Sequence, residues 1–193
     1  MKRLSSHVPS FGGRVTRFMG DGFKALFGHP TAHENDPEMA IRAGLAILQE
    51  AQSYATEVQT HFGISGFTVR VGINTGLVVI GGQSEGEHTV AGAAVNLAAR
   101  MESAALPGTL LISHNTYQHV RGVFDLEPRD PVSAKGFDQL VPVYRVLGAK
   151  QRAFRMGSRG VEGIETRMIG RDAELKILQD IYFLVIEDSE RQI

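Results

Sequence analysis

With 193 residues, 42% of them hydrophobic and 21% charged, the chain has room for one full domain and part of another, and the composition of an ordinary folded protein. A formal net charge of −1 gives no bulk attraction to nucleic acid or an anionic membrane, and the absence of cysteine excludes disulfides and thiolate metal sites. No apolar run approaches the ~20 residues that span a bilayer, and the basic start Met1-Lys2-Arg3 lacks a following apolar signal core. A cytoplasmic location, with neither nucleic acid nor membrane as partner, is therefore expected.

Residues 5–13 read as the end of a helix and a Gly-Gly break. Val15, Arg17 and Met19 then alternate with Thr16 and Phe18, and Phe23, Ala25 and Phe27 alternate with Lys24 and Leu26. Between the two runs lies Gly20-Asp21-Gly22, so the segment predicts a β-hairpin. Asp21 fits turn chemistry, because Asp tolerates unusual backbone angles. It also places a carboxylate at a hairpin tip, where small neighbours let a metal come close. After a loop over residues 28–34, Asp36-Pro37 predicts a helix with Asp36 as its cap and Pro37 in its first position. Ile41, Leu45, Leu48, Ala51, Ala55, Val58 and Phe62 follow at steps of three and four, giving a long amphipathic helix that Gly63 ends. His33 and His61 have no partner at metal-binding spacing and read as surface residues.

Phe67, Val69, Val71 and Ile73 alternate with polar or small residues and predict a half-buried strand. Asn74-Thr75-Gly76 is read as its turn, with residues 77–80 returning as the second arm of a hairpin, and residues 81–87 as a polar loop. From Ala94 the chain is rich in Ala, Leu and Met and free of Pro, hence helical. Asn96 and Arg100 stand at i,i+4 and leave one face together, while Ala94, Ala98, Met101 and Ala105 form the opposite, closely packing face. An amide beside a guanidinium suits an oxygen-rich anion, although pairs so spaced are also common on solvated helix faces. Pro107-Gly108 breaks the chain; residues 109–112 predict a strand, Ser113 the cap of a short helix through Val120, and residues 124–126 the start of another strand. Lys135-Gly136 falls in a loop, and Val141, Val143 and Val146 mark a last strand ending at Gly148. Strands and helices mix without a strict βαβ repeat, which argues for an α+β fold: an antiparallel-rich sheet with helices packed on one side.

Residues 149–168 are basic, contain glycines and lack an apolar period, as a flexible linker does. Leu175, Leu178, Tyr182 and Val185 then share one face of a helix opening at Gly170-Arg171-Asp172. No phosphate-binding Gly-x-x-x-x-Gly-Lys-[Ser/Thr] occurs.

Five segments carry a family resemblance: Arg17-Phe18-Met19-Gly20-Asp21-Gly22; Ala32-His33-Glu34; Val71-Gly72-Ile73-Asn74-Thr75-Gly76; Gly92 with Val95-Asn96-Leu97-Ala98-Ala99-Arg100-Met101-Glu102; and Lys135-Gly136. In this order and spacing they resemble the class III nucleotidyl cyclase catalytic domain over residues 11–147. The resemblance implies a ferredoxin-like sheet and a partial cyclase domain over 1–148, its first strand missing together with a second metal-binding aspartate. It further implies that a nucleoside triphosphate is cyclised with loss of pyrophosphate, using two Mg2+ or Mn2+ ions per site. By this resemblance Asp21 is the metal ligand, Asn96 orients the ribose, Arg100 stabilises charge at the α-phosphate, and Lys135 approaches the triphosphate. Arg17 and Thr89 take the base-recognition positions, where adenylate cyclases usually carry Lys and Asp; Thr is also found at the second. A cation at the first position suits the acceptor N1 of adenine, so ATP is preferred over GTP. Lys24 occupies a usually apolar strand position and reads as an exposed edge. The resemblance also implies a head-to-tail homodimer, metals from one protomer and Asn and Arg from the other, and an isolated chain impaired by its missing strand. The competing reading is a degenerate module that binds nucleotide or dimerises to control a downstream region. Residues 169–175 resemble the opening of an AAA-type ATPase module, placed at 169–193. An RNA-binding sheet is disfavoured by the lack of paired aromatics and of a basic balance.

Overall fold

The computed structural model describes residues 1–81, 89–137 and 139–150, with a few positions beyond: 158–159, 166–167, 174, 176–177 and 180–181. The chain divides into two compact units, Met1–Ala149 and Lys150–Ile193.

In the first unit, helices α1 (Lys2–Ser5) and α2 (His7–Ser10) precede a hairpin of β1 (Arg14–Met19) and β2 (Gly22–Leu26). The long helix α3 (Asp36–Phe62) follows, then β3 (Val71–Ile73), β4 (Val79–Gly81), β5 (Thr89–Ala91) and α4 (Ala93–Ala104). The unit ends with β6 (Leu110–Ser113), α5 (His114–Val120), β7 (Phe124–Val132) and β8 (Val141–Ala149). Four of these strands make one sheet in the order β3-β6-β8-β7, in which β3 and β6 are parallel and the other pairs antiparallel. The expected α+β, antiparallel-rich architecture is present.

Strand periodicity explains how the sheet holds helices. Leu110 and Ile112 of β6 join Val146 of β8 on one face, beneath Ile41 of α3 and Val120 of α5. Leu111 and Val143 point the other way and meet Leu97 and Met101 of α4. Successive side chains of a strand leave opposite faces, and every residue of β6 is buried. Thus α3 and α5 share one side, as expected, whereas α4 lies on the opposite side.

Four further expectations need correction. Asp36 is the first helical residue rather than the cap, which falls at Asn35; its Oδ2 instead accepts the amide of His33 at 2.6 Å and closes the preceding turn. Burial along α3 stops at Val58, so Phe62 overhangs the core and is 73% exposed. The ladder of the third strand is confined to Val71–Ile73. Residues 77–80 do not return against it either: β4 pairs with β5, in register Val79↔Ala91. The side chains of Asn74 and Thr75 bond away from the sheet, to Ala94 and Thr116, and so lead the chain out of it.

Other local signals behave as read. Gly63 ends α3 at φ 67°, a left-handed conformation suited to glycine. The Ser113 hydroxyl accepts the Thr116 amide as cap of α5.

In the second unit, Ser158–Arg159 pairs antiparallel with Thr166–Arg167, inside the stretch read as linker, and residues 174, 176–177, 180 and 181 are helical. Leu175, Leu178, Tyr182 and Val185, expected on one helix face, lie outside the described residues, as does most of the 169–175 segment. Among the described residues no helix is long and apolar enough to cross a membrane.

Candidate functional site

A cleft of about 470 Å3 opens between the β1–β2 hairpin, the segment entering β3, and α4. Phe23, Leu26, Val69 and Ala98 give it apolar walls; Asp21, Lys24, Thr68, Arg70, Asn74 and Glu102 give it polar ones. Asp21 stands here because β1 and β2 pair out to Met19↔Gly22, leaving a turn built on Gly20 at φ 56°. That conformation suits glycine and lets the hairpin close tightly with the carboxylate exposed at its tip. Arg70 and Glu102 approach to 3.5 Å on the cleft rim; both are 45% exposed, so the pair contributes little. Lys24 is half-buried on the cleft wall, on a strand that pairs only with β1 among the described strands.

The structure does not bring Asn96 and Arg100 into this cleft. The α4 residues lining it are Ala94, Val95, Ala98, Ala99 and Glu102. Asn96 and Arg100 project together from the helix into solvent, with Leu97 and Met101 buried behind them. Lys135 is exposed in a loop that rests on the start of α4. Gly136 has φ 95°, and a Cβ there would come within 2.9 Å of the Ala93 Cβ. Ala134 and Phe137 pack into the same cluster as Leu97 and Met101. Lys135 therefore belongs to the same structural block as Asn96 and Arg100. Arg17 is exposed on β1 opposite Lys24 and does not line the cleft. Thr89 pairs with Gly81 through its backbone; its side chain lies outside the described residues.

Among the described residues no group of three or more His, Cys, Asp or Glu side chains could hold a metal ion. Asp21 can still supply one carboxylate. A Mg2+ ion commonly takes one or two protein carboxylates and completes its octahedron with water and substrate phosphates. The residues present thus fit an ion delivered with a triphosphate, not a protein-built cage.

In sequence Asn74 reads as a turn residue, yet in the structure it lines the cleft and its side chain bonds to α4. An Asn straight after a strand and before Gly carries the ordinary turn signature, which hides such a role.

Residues 7–148 match the family model described as the adenylate and guanylate cyclase catalytic domain. The chain belongs to this family. An uncharacterised protein of Rhizobium meliloti is 31% identical over 179 residues, 91% of this chain and 17% of its own length. A receptor-type guanylate cyclase of Caenorhabditis elegans, gcy-7, is 34% identical over 124 residues, 61% of this chain and 11% of its own. The terminal-differentiation-specific adenylate cyclase of Dictyostelium discoideum is 29% identical over 165 residues, 79% of this chain and 8% of its own. The chain thus spans less than a fifth of the length of each of these relatives. Among solved structures, the adenylyl cyclase CyaB from P. aeruginosa superposes with a TM-score of 0.72 at 28% identity, over 78% of this chain and 79% of that one. The guanylyl cyclase Cya2 gives 0.71 at 28% identity, over 79% and 78%. Adenylate and guanylate cyclases both stand among the similar proteins, so this cyclase domain is assigned by family and not by base.

Proposed function

We propose that this cyclase domain acts on a nucleoside triphosphate, ATP in preference to GTP, in intracellular signalling. The 3'-hydroxyl attacks the α-phosphorus, the bond to the bridging oxygen breaks, pyrophosphate leaves, and the hydroxyl proton passes to solvent. The observation that carries this reading is the family match over residues 7–148 together with Asp21, Asn96 and Arg100 at their motif positions.

Asp21 would hold a divalent ion, Mg2+ or Mn2+, which when bound neutralises phosphate charge and favours the alkoxide form of the hydroxyl. Asn96 orients the ribose, and Arg100 donates to the charge developing at the α-phosphate; one such preorganised donor contributes about 3–4 kcal/mol. Lys135 binds the triphosphate. Arg17 and Thr89 face the base, and a cation at position 17 complements the N1 acceptor of adenine. Asp21 turned to the cleft and Asn96 and Arg100 turned to solvent support a site shared by two protomers, arranged head to tail as a homodimer. In the whole protein the domain belongs to a cytoplasmic signalling chain that continues into an ATPase module.

That no group of three or more metal-binding side chains stands with Asp21 among the described residues favours one alternative, a degenerate domain that binds nucleotide or dimerises without turnover. Incubating the chain with ATP or GTP and Mn2+, and measuring cyclic nucleotide and pyrophosphate, decides between them. Cyclic AMP exceeding cyclic GMP, and lost in Arg100→Ala, supports the enzyme. Nucleotide binding without either product supports the alternative.

A further inference from the structure

Asn74 joins the end of β3 to the first turn of α4. Its Nδ2 donates to the carbonyl of Ala94 at 3.1 Å, while its Oδ1 is buried and accepts nothing from the described residues. The amide cannot be turned around, since that would set two oxygens against each other. Buried acceptors without a partner are uncommon and ask for a reason beyond packing. The next residue reaches the other helical layer. The Thr75 hydroxyl lies 3.0 Å from that of Thr116, which lies 3.2 Å from that of Ser113, the cap of α5. Ser113 and Thr116 are buried, so this anchor is fixed. Two consecutive residues therefore tie α4, on one side of the sheet, to α5 on the other.

A tie at position 94 sets the roll of α4. Positions 96 and 100 lie about 200° and 240° around the helix axis from it, which is why Asn96 and Arg100 face away from the cleft that Asn74 lines. Beneath α4, Gly72 lets the backbone at Ala98 and Glu102 come close and Gly76 faces Ala94, while Leu97 and Met101 pack with Leu111 and Val143; the Asn74 bond adds a directional tie to these undirected contacts. A roll of about 10° moves a side-chain tip ~6 Å from the axis by about 1 Å, the scale on which misplacement costs on the order of a hundredfold in rate.

We propose that Asn74 is a positioning residue for Asn96 and Arg100, its amide N–H setting the rotation of α4 and so the direction of both side chains. This rests on the cyclase reading for its effect on turnover, and on the fold alone for its effect on α4. Asn74→Asp keeps the shape and removes the donor. Asn74→His returns an N–H at the same number of bonds from the backbone. In the full chain with Mn2+ and ATP, Asn74→Asp lowers kcat at least tenfold with KM within twofold, and Asn74→His restores kcat to within threefold. Amide hydrogen exchange across residues 94–104, read by mass spectrometry, is at least tenfold faster in Asn74→Asp and returns to the wild-type rate in Asn74→His. If the wild-type chain makes no cyclic nucleotide, the catalytic reading fails, while the exchange rates still judge Asn74. Exchange in Asn74→Asp within twofold of wild type overturns the proposal, as does a KM rise at constant kcat, or equal losses in both variants.

Discussion

Gly72 of β3 lies so close to α4 that a Cβ built on it would overlap the carbonyl oxygen of Ala98 and the amide nitrogen of Glu102. Both obstacles are backbone, so no side-chain rotation relieves them. Gly72→Ala must push α4 away from the sheet and loosen the Leu97–Met101–Val143 cluster. Overpacking of this kind costs about 1–3 kcal/mol, and the rigid neighbours put Gly72→Ala at the upper end. The measurement is the urea midpoint. Gly148→Ala in β8, where an added Cβ meets nothing within 4 Å, is the control and should shift stability by less than about 0.5 kcal/mol.

Ser113 caps α5 from within the core, 1% exposed, accepting from the Thr116 amide while its hydroxyl sits 3.2 Å from that of Thr116. Ser113→Ala removes the cap and leaves a buried hydroxyl with one partner fewer. The expected loss is about 1–2 kcal/mol, in the range of N-cap deletions, seen as a lower denaturation midpoint with an unchanged slope. A loss below about 0.3 kcal/mol would mean that water reaches the helix end and replaces the hydroxyl.

These two sites mark where sequence reading works and where it stops. The Ser113 cap, the Gly63 terminator and the hairpin around Asp21 depend on residues a few positions apart, so local chemistry determines them. The parallel pairing of β3 with β6 joins residues about forty positions apart, Val71 with Leu110, and no local alternation encodes a partner at that distance. Residues 77–80, Leu-Val-Val-Ile, have the apolar, β-branched composition of a return strand, yet Val79 and Ile80 pair with β5, because Asn74 and Thr75 commit their side chains to α4 and α5. The pairing of Asn96 with Arg100 was legible from i,i+4 spacing alone. That their face turns away from the Asp21 cleft was not, because the roll of a helix is set by what lies beneath it.

Arg3 bonds Glu57 through two guanidinium nitrogens, at 2.6 and 2.7 Å, and also pairs with Glu50, holding α1 against α3. The hydrogen bonds from Arg3 hold the Glu57 carboxyl below its ordinary value of 4.5. A carboxyl depressed in the folded state adds stability that is complete above its ordinary range and is lost as pH falls through the lower folded value. Glu57→Gln should therefore narrow the difference in urea midpoint between pH 7 and pH 3. At pH 7 the change should be small, and smaller still in high salt, because the pair is exposed to solvent. An unaltered pH dependence would show that Arg3 contributes only packing.

Asp21 and Arg100 turn in different directions on one protomer, toward the cleft and toward solvent. If each proposed site takes its carboxylate from one protomer and its guanidinium from the partner, the two defects complement. Asp21→Ala and Arg100→Ala should each lose at least a hundredfold in turnover, as removal of a single preorganised group does. Neither should move the denaturation midpoint, because both side chains are exposed. In an equimolar mixture of exchanging dimers, half are mixed, and each mixed dimer holds one intact site and one doubly defective site. The mixture should therefore regain about a quarter of wild-type activity. Activity that stays at the single-variant level after subunit exchange has been demonstrated, for example by differently tagged chains, would place all the reacting groups on one protomer and remove the two-protomer site.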